Sequence, residues 1–185
     1  MPKILIGMAV SDYIRSQTVG ALVALFKARP DMRFIMKQSP YVHDNREQVV
    51  NDFLETDCTH LFFVDSDMLF KPEVLDALLA DDKEIVGANY NKRMGKEGVP
   101  VVNTRYDMPG VSKPTQTFKN YAVATGCLLI KREVFEKVPK PWFSLGTVDN
   151  WMGEDIFFGK KCKEFGIDSW INPNVSAGHI GEFIY

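Results

Sequence analysis

Short hydrophobic runs alternate with longer amphipathic segments through the first half of the chain. Apolar runs of this kind are typical of buried strands, and apolar residues three or four positions apart are typical of helices that cover a sheet. The runs that predict strands are 3–8, 33–36, 60–64 and 84–88. The segments that predict helices run from a cap at Ser11 or Asp12 to before Pro30, from about 44 to 56, and from 73 to 81. This order predicts an α/β fold with a mostly parallel central sheet covered by helices.

The alternation is interrupted between residues 91 and 117, where glycine, proline and basic residues are frequent. A loop of this length inside a compact domain is usually functional or mobile, so we expect a flexible loop there. Beyond it, the pattern predicts two strands, two helices and an exposed tail. They are 121–131 and 169–171 for the strands, 132–137 and 154–165 for the helices, and 176–185 for the tail.

Composition narrows the class of protein. The 185 residues include 24 acidic and 22 basic side chains, a net charge of −2. This length predicts one domain, and the lack of a basic surplus argues against a nucleic-acid-binding protein. We expect no transmembrane segment, because every long apolar run carries charges, and no signal peptide, because a strand begins at once. Cys58, Cys127 and Cys162 have no paired or metal-binding spacing, which favours reduced thiols and a cytoplasmic location.

The first candidate for chemistry is Asp65-Ser66-Asp67, directly after the strand predicted at 60–64. Residues two apart on an extended chain point to the same side, so both carboxylates can meet beyond the sheet edge. Paired carboxylates suit Mg²⁺ or Mn²⁺, above all when a phosphate supplies further ligands. The alternative is a polar turn that ends the strand. The hydrophobic residues on both flanks favour a cleft.

Glu154 and Asp155 form a second candidate, at the start of the last long helix. Acidic residues are common there because they complement the helix dipole, so a structural role remains open. Trp142 and Trp151 lie nearby in sequence. They fit either a sugar-binding platform beside a general base or the hydrophobic core, and the sequence leaves both open.

His179 is a third candidate, with Gly178 and Gly181 on either side. A lone histidine is more often structural than metal-binding. Glycine permits close approach of the backbone to a ligand, and a neutral imidazole can complete a metal site begun by the aspartates. A nitrogen ligand shifts the preference of such a site from Mg²⁺ toward Mn²⁺.

Taken together, these segments resemble glycosyltransferases of the GT-A fold, close to the large inverting family that uses nucleotide-diphosphate sugars. Residues 61–68 are similar to the Asp-x-Asp motif, 151–156 to the motif of the catalytic base, and 177–181 to the C-terminal metal-binding histidine. Segments 9–11, 44–46 and 125–135 also match in chain order. The resemblance implies a three-layer sandwich and spans nearly the whole chain.

The resemblance also implies a role for each residue. Asp67 and His179 would bind Mn²⁺ or Mg²⁺, and Asp65 would bind the metal or the donor ribose. Asp155 would be the general base, and Glu154 would orient the site or the acceptor. The other implied donor-site residues are Ala9, Val10, Ser11, Arg46 and Ser66, and the implied acceptor-binding residues are Trp142 and Trp151.

The activity implied is transfer of a sugar from a nucleoside-diphosphate donor, expected to be a UDP-sugar, to a saccharide or other hydroxyl acceptor with inversion. Residues 1–90 would form the nucleotide-sugar-binding half and 118–185 the half with the acceptor and the base.

Two other classes of function remain as alternatives. A nucleotidyltransferase or a phosphohydrolase also uses aspartates at strand ends. The first usually has a glycine-rich basic loop after its first strand, which residues 9–13 are not, and the second usually has its aspartate nucleophile there. The other alternative class is a non-catalytic module that binds nucleotide sugars.

Overall fold

A seven-stranded sheet forms the centre of the protein in the computed structural model, which describes residues 2–90, 114–146 and 151–181. The strands of these residues are β1 (Ile4–Val10), β2 (Arg33–Gln38), β3 (His60–Val64), β4 (Met68–Leu69), β5 (Ile85–Asn89), β6 (Phe118–Asn120), β7 (Cys127–Lys131), β8 (Ser169–Ser176) and β9 (Gly178–His179). The helices are α1 (Ser16–Ala28), α2 (Val42–Leu54), α3 (Glu73–Ala80), α4 (Arg132–Lys137) and α5 (Glu154–Glu164). The strand order in the central sheet is β2-β1-β3-β7-β5-β8-β6, and β4 pairs with β9 separately.

The central sheet is mostly parallel. β1 pairs in parallel with β2 and β3, and β5 pairs in parallel with β8. β7 lies between β3 and β5 and is antiparallel to both, and β6 is antiparallel to β8. β1, β2, β3, β5 and β8 therefore run in one direction. The predicted α/β fold with a mostly parallel sheet is confirmed.

Helices cover both faces of the sheet. Successive residues of a strand point to opposite faces, so both sides of a fully buried strand must be apolar. Ile4, Ile6 and Met8 of β1 belong to the core that includes side chains of α1 and α3. Leu5 belongs to the core on the other face, which includes side chains of α2, α4 and α5. The result is a three-layer arrangement.

The first helix begins later than the sequence predicts. Instead of following a cap at Ser11 or Asp12, α1 begins at Ser16. The N–H of Arg15 donates to the carbonyl oxygen of Ser66 at 2.8 Å. The segment before α1 is thereby tied to the residues that follow β3, and the predicted cap is wrong.

The chain near its end is folded onto the sheet rather than exposed. The N–H of Ala177 donates to the carbonyl oxygen of Asn89 at 3.1 Å, and β9 then pairs with β4. Ala177 and Ile180 are 9% and 3% exposed. The predicted exposed tail is therefore wrong as far as Ile180, because these apolar side chains are buried there.

The strand predicted over 121–131 is confined to β7, and the short edge strand β6 precedes it. The flexible loop predicted over 91–117 lies outside the described residues between 91 and 113. Among the helices of the described residues, none combines the length and the apolar content needed to cross a lipid bilayer.

Candidate active site

The candidate residues gather at the edge of the sheet where the parallel strands end. Val10 ends β1, Asp65 follows β3, and Asn89 ends β5. In open α/β sheets, ligands bind outside the carboxyl ends of the strands. This edge is therefore the expected position of a ligand site.

The end of β1 is held by the first turn of α2. The carbonyl oxygen of Val10 accepts hydrogen bonds from the Ser39 N–H at 3.1 Å and from Asn45 Nδ2 at 3.0 Å. Asn45 is 1% exposed, so water does not compete for these bonds. The side chains of Ala9 and Val10 are buried, whereas Ser11 is exposed. Asn45 therefore positions the end of β1. It lies in the segment 44–46, but the sequence does not indicate this role.

Asp67 and His179 form a pair beyond β3. Asp67 Oδ1 lies 3.4 Å from His179 Nε2, and the two side chains are 13% and 16% exposed. The pairing of β4 with β9 sets Met68 opposite His179, and the N–H of Ile180 donates to the carbonyl oxygen of Asp67 at 2.7 Å. The backbone on both sides therefore determines this approach of the carboxylate to the imidazole.

This pair fits a divalent metal that takes its remaining ligands from elsewhere. At a separation of 3.4 Å, both donor atoms can lie within the coordination distance of one divalent ion, about 2.1 Å. An oxygen and a nitrogen donor together suit Mn²⁺. Within the described ranges, no group of three or more histidine, cysteine, aspartate or glutamate side chains is arranged to hold a metal. Asp67 and His179 can thus provide two ligands, and a bound phosphate group would have to provide others.

Asp65 is held by a buried arginine. Arg46 Nη2 lies 2.8 Å from Asp65 Oδ1, and Arg46 Nη1 forms an ion pair with Glu154 at the start of α5. Burial disfavours the charge of Arg46, but attraction to Asp65 and then to Glu154 outweighs it and raises the pKa of the guanidinium. Arg46 thus joins the end of β3 to the start of α5, and it is too deeply buried to lie on the surface of a ligand cleft.

Asp155 lies next to Glu154 in the first turn of α5, and its environment favours the protonated form. Burial and, next, the charge of Glu154 raise the pKa of the Asp155 carboxyl above its usual value. The N–H of Ile156 donates to Asp155 Oδ1 at 2.7 Å and opposes that shift. A carboxylate with a raised pKa binds a proton more readily, as a general base must.

Tyr90 is a site residue that the sequence pattern does not mark. Its hydroxyl accepts a hydrogen bond from the N–H of Gly126 at 2.9 Å, and its ring meets the His179 ring edge-on at 5.6 Å. Burial and then the charge of Asp65 raise the pKa of Tyr90 well above its usual value, so its hydroxyl stays neutral. A Cβ at Gly126 would lie 2.5 Å from the Tyr90 hydroxyl, so only glycine leaves room for this contact.

The two tryptophans have different environments. Trp142 is 3% exposed, its Nε1 donates to the carbonyl oxygen of Val138 at 2.7 Å, and its ring packs edge-on against Phe135. It belongs to the core, contrary to the expectation of a ring that can contact an acceptor. Trp151 is 75% exposed. Ser66 is partly exposed, and its carbonyl oxygen is used by Arg15.

Comparisons with known proteins support the fold. The sequence matches no protein-family model and no curated protein. Among solved structures, A197 from STIV is similar with a TM-score of 0.67 and 19% identity, covering 98% of this chain and 86% of that one. GalNAc-T7, solved with UDP, GalNAc and Mn²⁺, is similar with a TM-score of 0.59 and 12% identity, covering 98% of this chain. The chain spans 44% of the length of GalNAc-T7. At these identities the likeness concerns the fold alone, and that fold is the one found in GT-A glycosyltransferases.

Proposed function

We propose that this protein is a metal-dependent glycosyltransferase. It transfers a sugar from a nucleoside-diphosphate donor, a UDP-sugar, to the hydroxyl group of a saccharide or another acceptor, with inversion at the sugar carbon. The observation that carries the proposal is the pair formed by Asp67 and His179, 3.4 Å apart at the carboxyl edge of a GT-A-like sheet. The similar fold of GalNAc-T7, which was solved with UDP and Mn²⁺, agrees with it.

The donor side of the reaction uses the ends of β1 and β3. Asp67 and His179 would hold Mn²⁺ or Mg²⁺, and Asp65 would bind the ribose of the donor. Ser11 and Ser66 contact the donor from the residues that follow the two strands. When bound, the divalent ion would neutralise the charge that develops on the departing nucleoside diphosphate.

Asp155 is the general base. Glu154 is paired with Arg46, whereas burial and the charge of Glu154 raise the pKa of Asp155, which favours acceptance of a proton by this carboxylate. It takes the proton from the acceptor hydroxyl as the oxygen attacks the sugar carbon from the face opposite the leaving group. Proton transfer of this kind contributes a factor of roughly 10²–10⁴ to the rate.

The acceptor stacks on Trp151, which is exposed and three residues before the start of α5. Aromatic rings pack well against the apolar faces of sugars, since they offer a large flat surface with little entropy to lose. Trp142 is left out of the proposed site because it is buried in the core.

A screen of nucleotide sugars tests the proposal. UDP-GalNAc, other UDP-sugars and GDP-sugars are added with MnCl₂, and binding is read as a rise in melting temperature. Each donor that binds is incubated with a panel of saccharides, and NMR of the product gives its anomeric configuration. A glycoside of inverted configuration supports the proposal. Binding without any transfer supports the non-catalytic module instead. In a parallel assay with a nucleoside triphosphate and a sugar 1-phosphate, release of inorganic phosphate supports the phosphohydrolase, and release of pyrophosphate supports the nucleotidyltransferase.

A further inference from the structure

We infer that Arg46 is a positioning residue that couples the carboxylate of Asp65 on the donor side to Glu154 beside the general base. The inference rests on the proposed function and goes beyond it. It states that donor binding and the position of the general base depend on each other through Arg46. Its physical basis is one buried guanidinium shared by two carboxylates from distant parts of the chain.

The two arms of the guanidinium contact different elements. Nη2 lies 2.8 Å from Asp65 Oδ1 after β3, and Nη1 contacts Glu154 Oε1 at the start of α5. The Arg46 side chain is 4% exposed, whereas Asp65 and Glu154 are 29% and 22% exposed. Each carboxylate thus contacts Arg46 through one oxygen, and each side chain is exposed enough for a ligand to contact it.

The neighbours of Arg46 fix the frame on which it works. Asn45 binds the end of β1, and the carboxylate of Glu47 accepts a hydrogen bond from the N–H of Phe143. The residues of α2 from 45 to 47 therefore contact four segments around the site: the end of β1, the residues after β3, the start of α5 and the segment at Phe143. Because this support is rigid, we expect that a displacement of one carboxylate changes the position of the guanidinium and, through it, that of the other carboxylate.

Stability alone does not explain this arrangement. Arg46 Nε is buried and has no hydrogen-bond partner among the described residues. A buried N–H without a partner costs stability, and buried ion pairs contribute little net stability relative to packed apolar side chains. The charge at this position therefore points to a role in the site.

The coupling has a definite direction. When Glu154 is replaced by the neutral side chain of glutamine, Asp65 alone balances the charge of Arg46 and is drawn more tightly onto it. Asp65 then offers a weaker contact to the ribose, so the affinity for UDP falls. Coupling between two sites is reciprocal, so a bound donor also alters the hold of Arg46 on Glu154 and the first turn of α5.

A double-mutant cycle tests the inference with UDP and MnCl₂ as the probe, measured by calorimetry. Glu154→Gln in the wild-type background is expected to weaken UDP binding about 3- to 10-fold, a coupling within the usual range for residues in one network. The same change in an Asp65→Asn background is expected to alter the affinity less than about twofold.

Two arginine variants separate positioning from support of the fold. Lysine has a single point charge and cannot bridge two carboxylates as a guanidinium does, so Arg46→Lys is expected to weaken UDP binding about tenfold while the protein still unfolds cooperatively. Arg132→Lys is the matched control, because Arg132 donates to the carbonyl oxygens of Leu54 and Thr56 at the end of α2. It is expected to lower the melting temperature and leave the affinity of the folded protein unchanged.

The outcomes distinguish the two claims. If the effects of Asp65→Asn and Glu154→Gln on UDP affinity multiply, or if Arg46→Lys behaves like Arg132→Lys, the coupling role of Arg46 is wrong and the proposed function stands. If the wild-type protein binds no UDP with Mn²⁺, the proposed function fails and this inference fails with it.

Discussion

The carboxylate of Asp67 faces the imidazole of His179, with Oδ1 and Nε2 3.4 Å apart. The two residues lie far apart in the sequence, and the short ladder between β4 and β9 brings them together. A carboxylate oxygen and an imidazole nitrogen are donors that a divalent cation can bind together. This relationship links the fold to the proposed chemistry.

Replacement of His179 tests its proposed role as a metal ligand. His179→Ala is expected to lower the affinity for Mn²⁺ in the presence of UDP by about 100-fold, at the upper end of the losses caused by changes around metal ligands. Electron paramagnetic resonance of Mn²⁺ measures free and bound ion directly. His60→Ala is the control, because His60 begins β3 at the opposite edge of the sheet, and it should retain the affinity. Equal affinities for all three proteins would exclude His179 as a ligand.

Replacement of Asp155 should affect the transfer step and not donor binding. Asp155→Asn is expected to lower kcat by roughly 10²–10⁴ while the Kd for UDP stays within about twofold. Glu164→Gln, at the far end of α5, is the control and should retain kcat. A variant that keeps full turnover would remove Asp155 as the base.

The rate should also depend on pH through Asp155. The base works only when it is deprotonated, and its pKa is raised above the usual 3.8 by burial and by Glu154. The rate is therefore expected to fall on the acidic side at a pH higher than 3.8, as the protonated form accumulates. A pH profile of kcat measures this limb, which should be missing from the residual activity of Asp155→Asn. An identical acidic limb in both proteins would assign it to another group.

Gly126 should be sensitive to a single methyl group. A Cβ there would lie 2.5 Å from the Tyr90 hydroxyl, so Gly126→Ala is expected to displace Tyr90 and to destabilise the protein by about 1–3 kcal/mol. Gly20→Ala is the control, since no atom lies within 4 Å of its Cβ position in α1. It should stabilise the protein by up to about 1 kcal/mol, because alanine favours a helix. Urea unfolding measures both values, and equal effects would contradict the close packing at Gly126.

Much of the fold follows from the sequence because buried strands and amphipathic helices have different periods. The apolar run that became β3 and the helix that became α2 lie within two residues of their predicted bounds. The start of α1 was predicted wrongly, since the contact of Arg15 with Ser66 depends on a neighbouring strand end. β6 and β9 have only three and two residues, which is too short for a periodic pattern.

The candidate site was predicted in part for the same reasons. Asp65 and Asp67 are visible because they follow an apolar strand, but the sequence does not reveal that Arg46 holds one of them. Trp142 and Trp151 carry the same type of side chain, and only the packing distinguishes the buried ring from the exposed one. Tyr90 acts through its contacts with Gly126 and His179, which no local pattern indicates.

The affinity for UDP with and without Mn²⁺ tests the central claim most directly. Calorimetric titration of the wild-type protein is expected to give at least about tenfold tighter binding with MnCl₂ than with EDTA, and Asp67→Asn is expected to abolish that gain. UDP binding that is equal with and without Mn²⁺, and unchanged by Asp67→Asn, would contradict this claim.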